Sequence, residues 1–170
     1  VVVERITEWD EFTGRLQAPQ TVQLVPRVSG YVEQVLFDEG ALVKAGDVLL
    51  TIDAEPFAAE VARLNAELLN AQSAAELAKA EYERAQRLLA QRAISVEVLD
   101  NRLARKKQTA ATVASVKAAL ERAELDLSYT RVTAPINGRV SYAMVTVGNY
   151  VTAGQTLLTS LVSTEKMYAY

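Results

Sequence analysis

The sequence predicts an α+β fold: a β-sandwich built from two half-motifs, split by a long antiparallel α-helical coiled-coil hairpin, with further strands at both ends. Three observations carry this. Two similar stretches recur at an offset of 108 residues. Both carry the glycine spacing and short β-branched runs of tight turns between strands. Between them, residues 54–131 contain no glycine, and their only proline is Pro56 at the start.

The first stretch is PRVSGYVEQVLFDEGALVKAGDVLLTI, residues 26–52, and the second is PINGRVSYAMVTVGNYVTAGQTLLTSL, residues 135–161. Gly30, Gly40 and Gly46 correspond to Gly138, Gly148 and Gly154, and six of the seven glycines share this register. Neither copy is large enough to bury its own apolar face, so the two are expected to pack as halves of one sandwich. That brings Ile52 close to Thr133, and the intervening segment must leave the sandwich and return beside its starting point.

In that segment Phe57, Val61, Leu64, Leu68, Ala71, Ala75, Ala78, Tyr82, Ala85 and Leu89 follow one another in steps of 4 and 3. This is the seam of a left-handed coiled coil. Asp53 and Pro56 are helix-start signals. The return arm is expected to use Leu99, Leu103, Ala110, Val113, Val116, Leu120, Ala123 and Leu127. Arg102, Lys106 and Lys107 interrupt that pattern, which predicts looser pairing or a register shift. Arms of this length project about 50 Å at 1.5 Å per residue.

Residues 9–28 and 160–170 are strand-like and lack partners, suggesting a further β domain that is incomplete here. The chain begins at Val1 rather than Met and reads as a processed or trimmed piece.

Composition narrows the function. The chain has 170 residues, 50% of them hydrophobic and 23% charged, with net charge −3. These values suit an ordered protein and give no general case for nucleic-acid binding. Histidine and cysteine are absent, which removes the commonest general base, thiolate metal sites and disulfides. Asp53 and Glu55 look like helix-start acids, no phosphate loop is present, and no catalytic residue, cofactor site or metal site is expected. No apolar run approaches the length that spans a bilayer.

Several phrases carry a family resemblance: EFTGRLQA at 11–18, VSGYVEQVLFDEGALVKAGDVLLTID at 28–53, LSYTRVTAPINGRV at 127–140 and GNYVTAGQTLLTSLVSTEKMYAY at 148–170. Together with the order of parts, they resemble the periplasmic adaptors, or membrane fusion proteins, of RND-type tripartite multidrug efflux pumps, within the HlyD-like family. The resemblance covers essentially the whole chain. It implies lipoyl-like halves at 25–53 and 132–162, a hairpin at 54–131, and partial β-barrel strands at 1–24 and 163–170. It also implies a TolC-type outer-membrane channel and an inner-membrane RND transporter as partners, self-association into a trimer or hexamer ring, and no nucleic acid. The expected location is the periplasm, with attachment to the inner membrane through a segment outside this sequence.

In that family the hairpin tip carries the pattern R-x-x-x-L-x-x-x-x-x-x-S, which contacts the channel. Arg84, Leu88 and Ser95 match it within RAQRLLAQRAIS, residues 84–95. Arg84 and Leu88 are one helical turn apart and share a face. An arginine fork and a leucine knob suit docking into a groove between helices of another protein. Ser95 also suits an N-cap, with Glu97 and Asp100 following. Arg87 and Arg92 match the dipole at a helix C-terminus. Residues 84–107 hold seven basic and two acidic side chains, net +5, which favours an acidic partner surface.

Other readings remain at this level. An adaptor of an ABC-type exporter or secretion system shares the tip and the halves. A lipoyl or biotinyl carrier domain would display a modified lysine between its half-motifs, where this chain has its hairpin instead. A metal-efflux adaptor is disfavoured, since only Met144 and Met167 offer soft ligands.

Overall fold

The computed structural model describes residues 16–164 and 168–169. In chain order the elements are β1 (Leu16–Gln17), β2 (Thr21–Leu24), β3 (Gly30–Val35), β4 (Leu42–Val43), β5 (Val48–Ile52), α1 (Glu55–Ala90), α2 (Val96–Ser128), β6 (Arg131–Thr133), β7 (Gly138–Val140), β8 (Tyr150–Val151), β9 (Thr159–Val162) and β10 (Tyr168–Ala169). The strand-like residues expected within 1–15, together with 165–167 and 170, lie outside the described residues.

Two four-stranded antiparallel sheets form the sandwich, in the orders β2-β9-β7-β4 and β6-β5-β3-β8. Each sheet takes two strands from before the hairpin and two from after it, so the halves interlock by exchanging strands instead of each supplying one sheet. The physical reason is core sharing: buried positions come in repeat-related pairs, Val32 with Val140, Leu50 with Leu158 and Leu24 with Val132. Ile52, Leu161 and Val151 complete an interior to which either repeat alone contributes half.

Two repeat-related glycines explain why the register is so strict. Gly46 and Gly154 have φ of 97° and 70°, a region that side chains with a Cβ rarely adopt. At Gly138 a different constraint acts: a Cβ there would run into the Val162 carbonyl of the neighbouring strand.

Residues Thr21–Leu24, expected among the barrel strands, pair instead with Leu161 and its neighbours at the edge of the sandwich. At the other end of the chain, β1 pairs antiparallel with β10 in a separate two-stranded sheet.

The hairpin leaves from β5 and returns into β6, which are paired neighbours. Thr133 lies opposite Val48, and it is Thr130 that meets Ile52, whose N–H donates to the Thr130 carbonyl at 2.8 Å. Asp53 Oδ1 accepts from the Glu55 N–H at 3.0 Å, and Pro56 occupies the first turn, so both start signals act where they stand. The Arg27 guanidinium lies 4.8 Å from the Tyr129 ring centre, holding the end of α2 against the sandwich.

Every seam position of α1, from Phe57 to Leu89, is buried or half-buried. The α2 seam differs from expectation. Its buried or half-buried residues include Leu99, Arg102, Lys106, Thr109, Val113, Val116, Leu120, Ala123 and Leu127, again in steps of 3 and 4, with the expected Leu103 half-buried beside Arg102. Thr109 takes the place expected for Ala110, which is exposed. No register shift occurs, because polar residues fill the distal seam: Arg102 bonds Glu81 at 2.9 Å and Lys106 caps the Tyr82 ring.

Candidate functional site at the hairpin tip

The tip is built by how α1 ends. Arg92 has φ of 58°. Its N–H donates to the Leu89 carbonyl at 2.8 Å, and the Ala93 N–H donates to the Leu88 carbonyl at 2.9 Å. This pair of bonds is the Schellman arrangement, with arginine at the position that usually holds glycine. Ser95 then starts α2, its Oγ accepting from the Val98 N–H at 3.4 Å.

Arg84 and Leu88 line one open groove of about 240 Å³ on the side of the tip, with Glu81 and Ala85 from α1 and Ile94, Val98 and Arg102 from the turn and α2. Arg84 is exposed and Leu88 half-buried. Ser95 does not line the groove; it caps α2 next to it. Sequence reasoning missed Glu81, Ile94, Val98 and Arg102. For Arg102 the signal was available, since stepping back from Leu120 in alternating 4s and 3s lands on Val116, Val113, Thr109, Lys106 and Arg102. The groove offers one carboxylate, two guanidinium groups and an apolar floor. It suits recognition of a helix carrying a carboxylate and contains no constellation for chemistry.

A second groove lies near the root, between Phe57 and Leu64 of α1 and Ala119 and Ala123 of α2. Ion pairs rim it. Arg63 bonds Glu60 and Glu67, each at 2.8 Å, and these hydrogen bonds raise the Arg63 pKa while the bond from Arg63 lowers that of Glu60. Among the described residues no cluster of acids is arranged to hold a metal ion, and no helix is long and apolar enough to cross a membrane.

Residues 20–163 match the family model described as RND MFP, barrel-sandwich hybrid domain. The chain belongs to the RND-type membrane fusion proteins. This membrane fusion protein is 38% identical over 160 residues to the efflux pump periplasmic linker BepD of Brucella suis, covering 93% of the chain. It is 37% identical over 141 residues to the multidrug resistance protein MdtA of Proteus mirabilis, covering 83% of it. The chain spans 40% and 34% of those relatives' own lengths. A MacA–MexA chimera containing the Pseudomonas aeruginosa MexA α-hairpin superposes over 92% of this chain and 52% of that one, with TM-score 0.64 and 28% identity. The membrane fusion protein Spr0693 of Streptococcus pneumoniae shares the fold, with TM-score 0.70 and 17% identity over 92% of this chain and 64% of that one.

Proposed function

We propose that this membrane fusion protein is the hairpin-bearing part of a periplasmic adaptor that links an inner-membrane RND transporter to a TolC-type outer-membrane channel for drug export. The observation that carries this is the family match across both half-motifs and the hairpin, together with a tip groove that gathers Arg84 and Leu88. The adaptor is non-catalytic. Arg84 binds a carboxylate on a channel helix, Leu88 fills an apolar pocket there, and Ser95 holds the start of α2 in place beside the contact. Attachment to the inner membrane is through a segment outside this sequence.

Self-association is part of the same proposal. Leu69 and Leu77 on α1 and Leu125 on α2 are 66%, 56% and 51% exposed, on the sides of the hairpin that face away from its seam. By the register that sets Leu64 against Leu120 and Glu81 against Arg102, exposed Glu76 on α1 and exposed Lys107 on α2 stand at about equal height along the rod. A neighbour alongside, at the same height, would bring the acid of one copy to the base of the next. The ring of three or six copies implied by the family is built on that contact.

The test of docking is cysteine crosslinking in cells between position 84 or 88 and candidate channel helices, which the absence of native cysteine makes clean. Arg84→Asp and Leu88→Ser are expected to lose both the crosslinks to the channel and drug resistance. If both survive these substitutions, the docking role is wrong.

A further inference from the structure

Glu81 stands three residues before Arg84 on α1, a spacing at which an acid and a base meet on one helix face. Its carboxylate is nevertheless committed elsewhere. Glu81 Oε2 accepts from Arg102 Nη1 at 2.9 Å across the seam and lies 3.8 Å from Arg105 Nη1. The Glu81 side chain is only 27% exposed, so it sits in the wall of the groove and not in solvent. Among the described residues, Arg84 takes part in no ion pair. The groove therefore contains an acid next to the docking cation, and two arginines of the opposite helix keep that acid turned away.

We infer that Arg102, seconded by Arg105, is a positioning residue for docking: by occupying Glu81 it keeps Arg84 available to a carboxylate of the partner. The inference rests on the docking role of Arg84 proposed above. Without the two α2 arginines, the cation three residues along the same helix face from Glu81 is Arg84. An internal pair forms there, and the groove presents a neutralised fork. A bidentate arginine can satisfy an internal or an external carboxylate in the same geometry, so the two compete directly. This arrangement also accounts for polar residues at seam positions, where leucine would pack better. At this height the seam controls which charges the tip displays.

The test uses the full-length protein in cells that carry its own transporter and channel, with a photoreactive residue at exposed Ala93 reporting contact with the channel. Arg102→Gln/Arg105→Gln is expected to lower the crosslink yield about tenfold, the loss of one charge-assisted contact. Adding Glu81→Gln to that variant removes the competing acid and is expected to restore the yield to within about twofold of the parent, since Arg84 then has its fork free again. Failure of Glu81→Gln to rescue overturns the inference, because the α2 arginines then act by direct contact or by holding the fold. An unaltered yield in Arg102→Gln/Arg105→Gln overturns it too. Arg84→Gln separates the two levels: if it docks normally, the docking role itself fails and this inference with it.

Discussion

Lys106 Nζ lies 4.7 Å from the centre of the Tyr82 ring, across the hairpin seam. A cation at an inward coiled-coil position lowers stability relative to an aliphatic residue, and the ring face offsets only part of that. Lys106→Leu is therefore expected to stabilise the hairpin by about 1 kcal/mol. A rise in the thermal midpoint of the helical signal by circular dichroism is the measurement, and a fall would show that the cation–ring contact outweighs apolar burial.

The turn makes a sharper prediction. Arg92 holds a left-handed backbone conformation that costs a residue with a Cβ about 1 kcal/mol relative to glycine. Arg92→Gly is expected to stabilise the hairpin by about that amount while leaving channel contact intact, because Arg92 does not line the groove. Ser95→Ala is expected to cost about 0.5 kcal/mol, at the low end for a cap because its bond is long.

In the sandwich, Gly30→Ala and Gly138→Ala distinguish two kinds of crowding. An added methyl at Gly30 meets the buried Ile52 Cγ2 at 2.6 Å, a side-chain methyl that only a change of χ1 can move, whereas at Gly138 it meets backbone. Gly138→Ala is expected to cost about 1–3 kcal/mol and Gly30→Ala clearly less. Urea melts of the two variants give the order, and equal losses would mean that the Ile52 contact is as unyielding as the strand.

For side-by-side assembly, Glu76→Cys/Lys107→Cys in one chain is the informative variant. The two positions are on different helices and both are exposed, away from the seam between them, so a disulfide joining them must link two copies. Oxidation is expected to give a ladder of covalent multimers, and Glu76→Cys/Ala118→Cys, displaced along the rod, is expected to give none. A ladder from both, or from neither, contradicts the register proposed.

Much of this was legible in the amino-acid order, for identifiable reasons. The glycines of the repeat marked the turns, because backbone handedness and close strand approach exclude other residues there. The α1 seam was legible because ten of its positions are apolar or aromatic. On α2 the same geometry was hidden by chemistry: Arg102, Lys106 and Thr109 are inward but polar, so hydrophobic spacing alone took Leu103, which is half-buried beside Arg102, and then Ala110, which is exposed. Strand exchange between the repeats was not legible either. Periodicity tells which face of a strand is buried but not which copy supplies its neighbour. The groove residues Glu81 and Arg102 belong to this hidden class, since they are brought together by a seam that the apolar pattern does not trace.

The root of the hairpin has a mechanical consequence. Both arms are rooted in adjacent paired strands, with the Ile52–Thr130 bond and the Asp53 turn as the first fastenings. The helix beyond runs 36 residues without a glycine, so it bends little of its own accord. At about 1.5 Å per residue, a tilt of roughly 5° at that pivot sweeps the far end through about 5 Å, close to one helical turn of a partner. Small adjustments in the sandwich are thus geared up into steps large enough to change which residues meet at the tip.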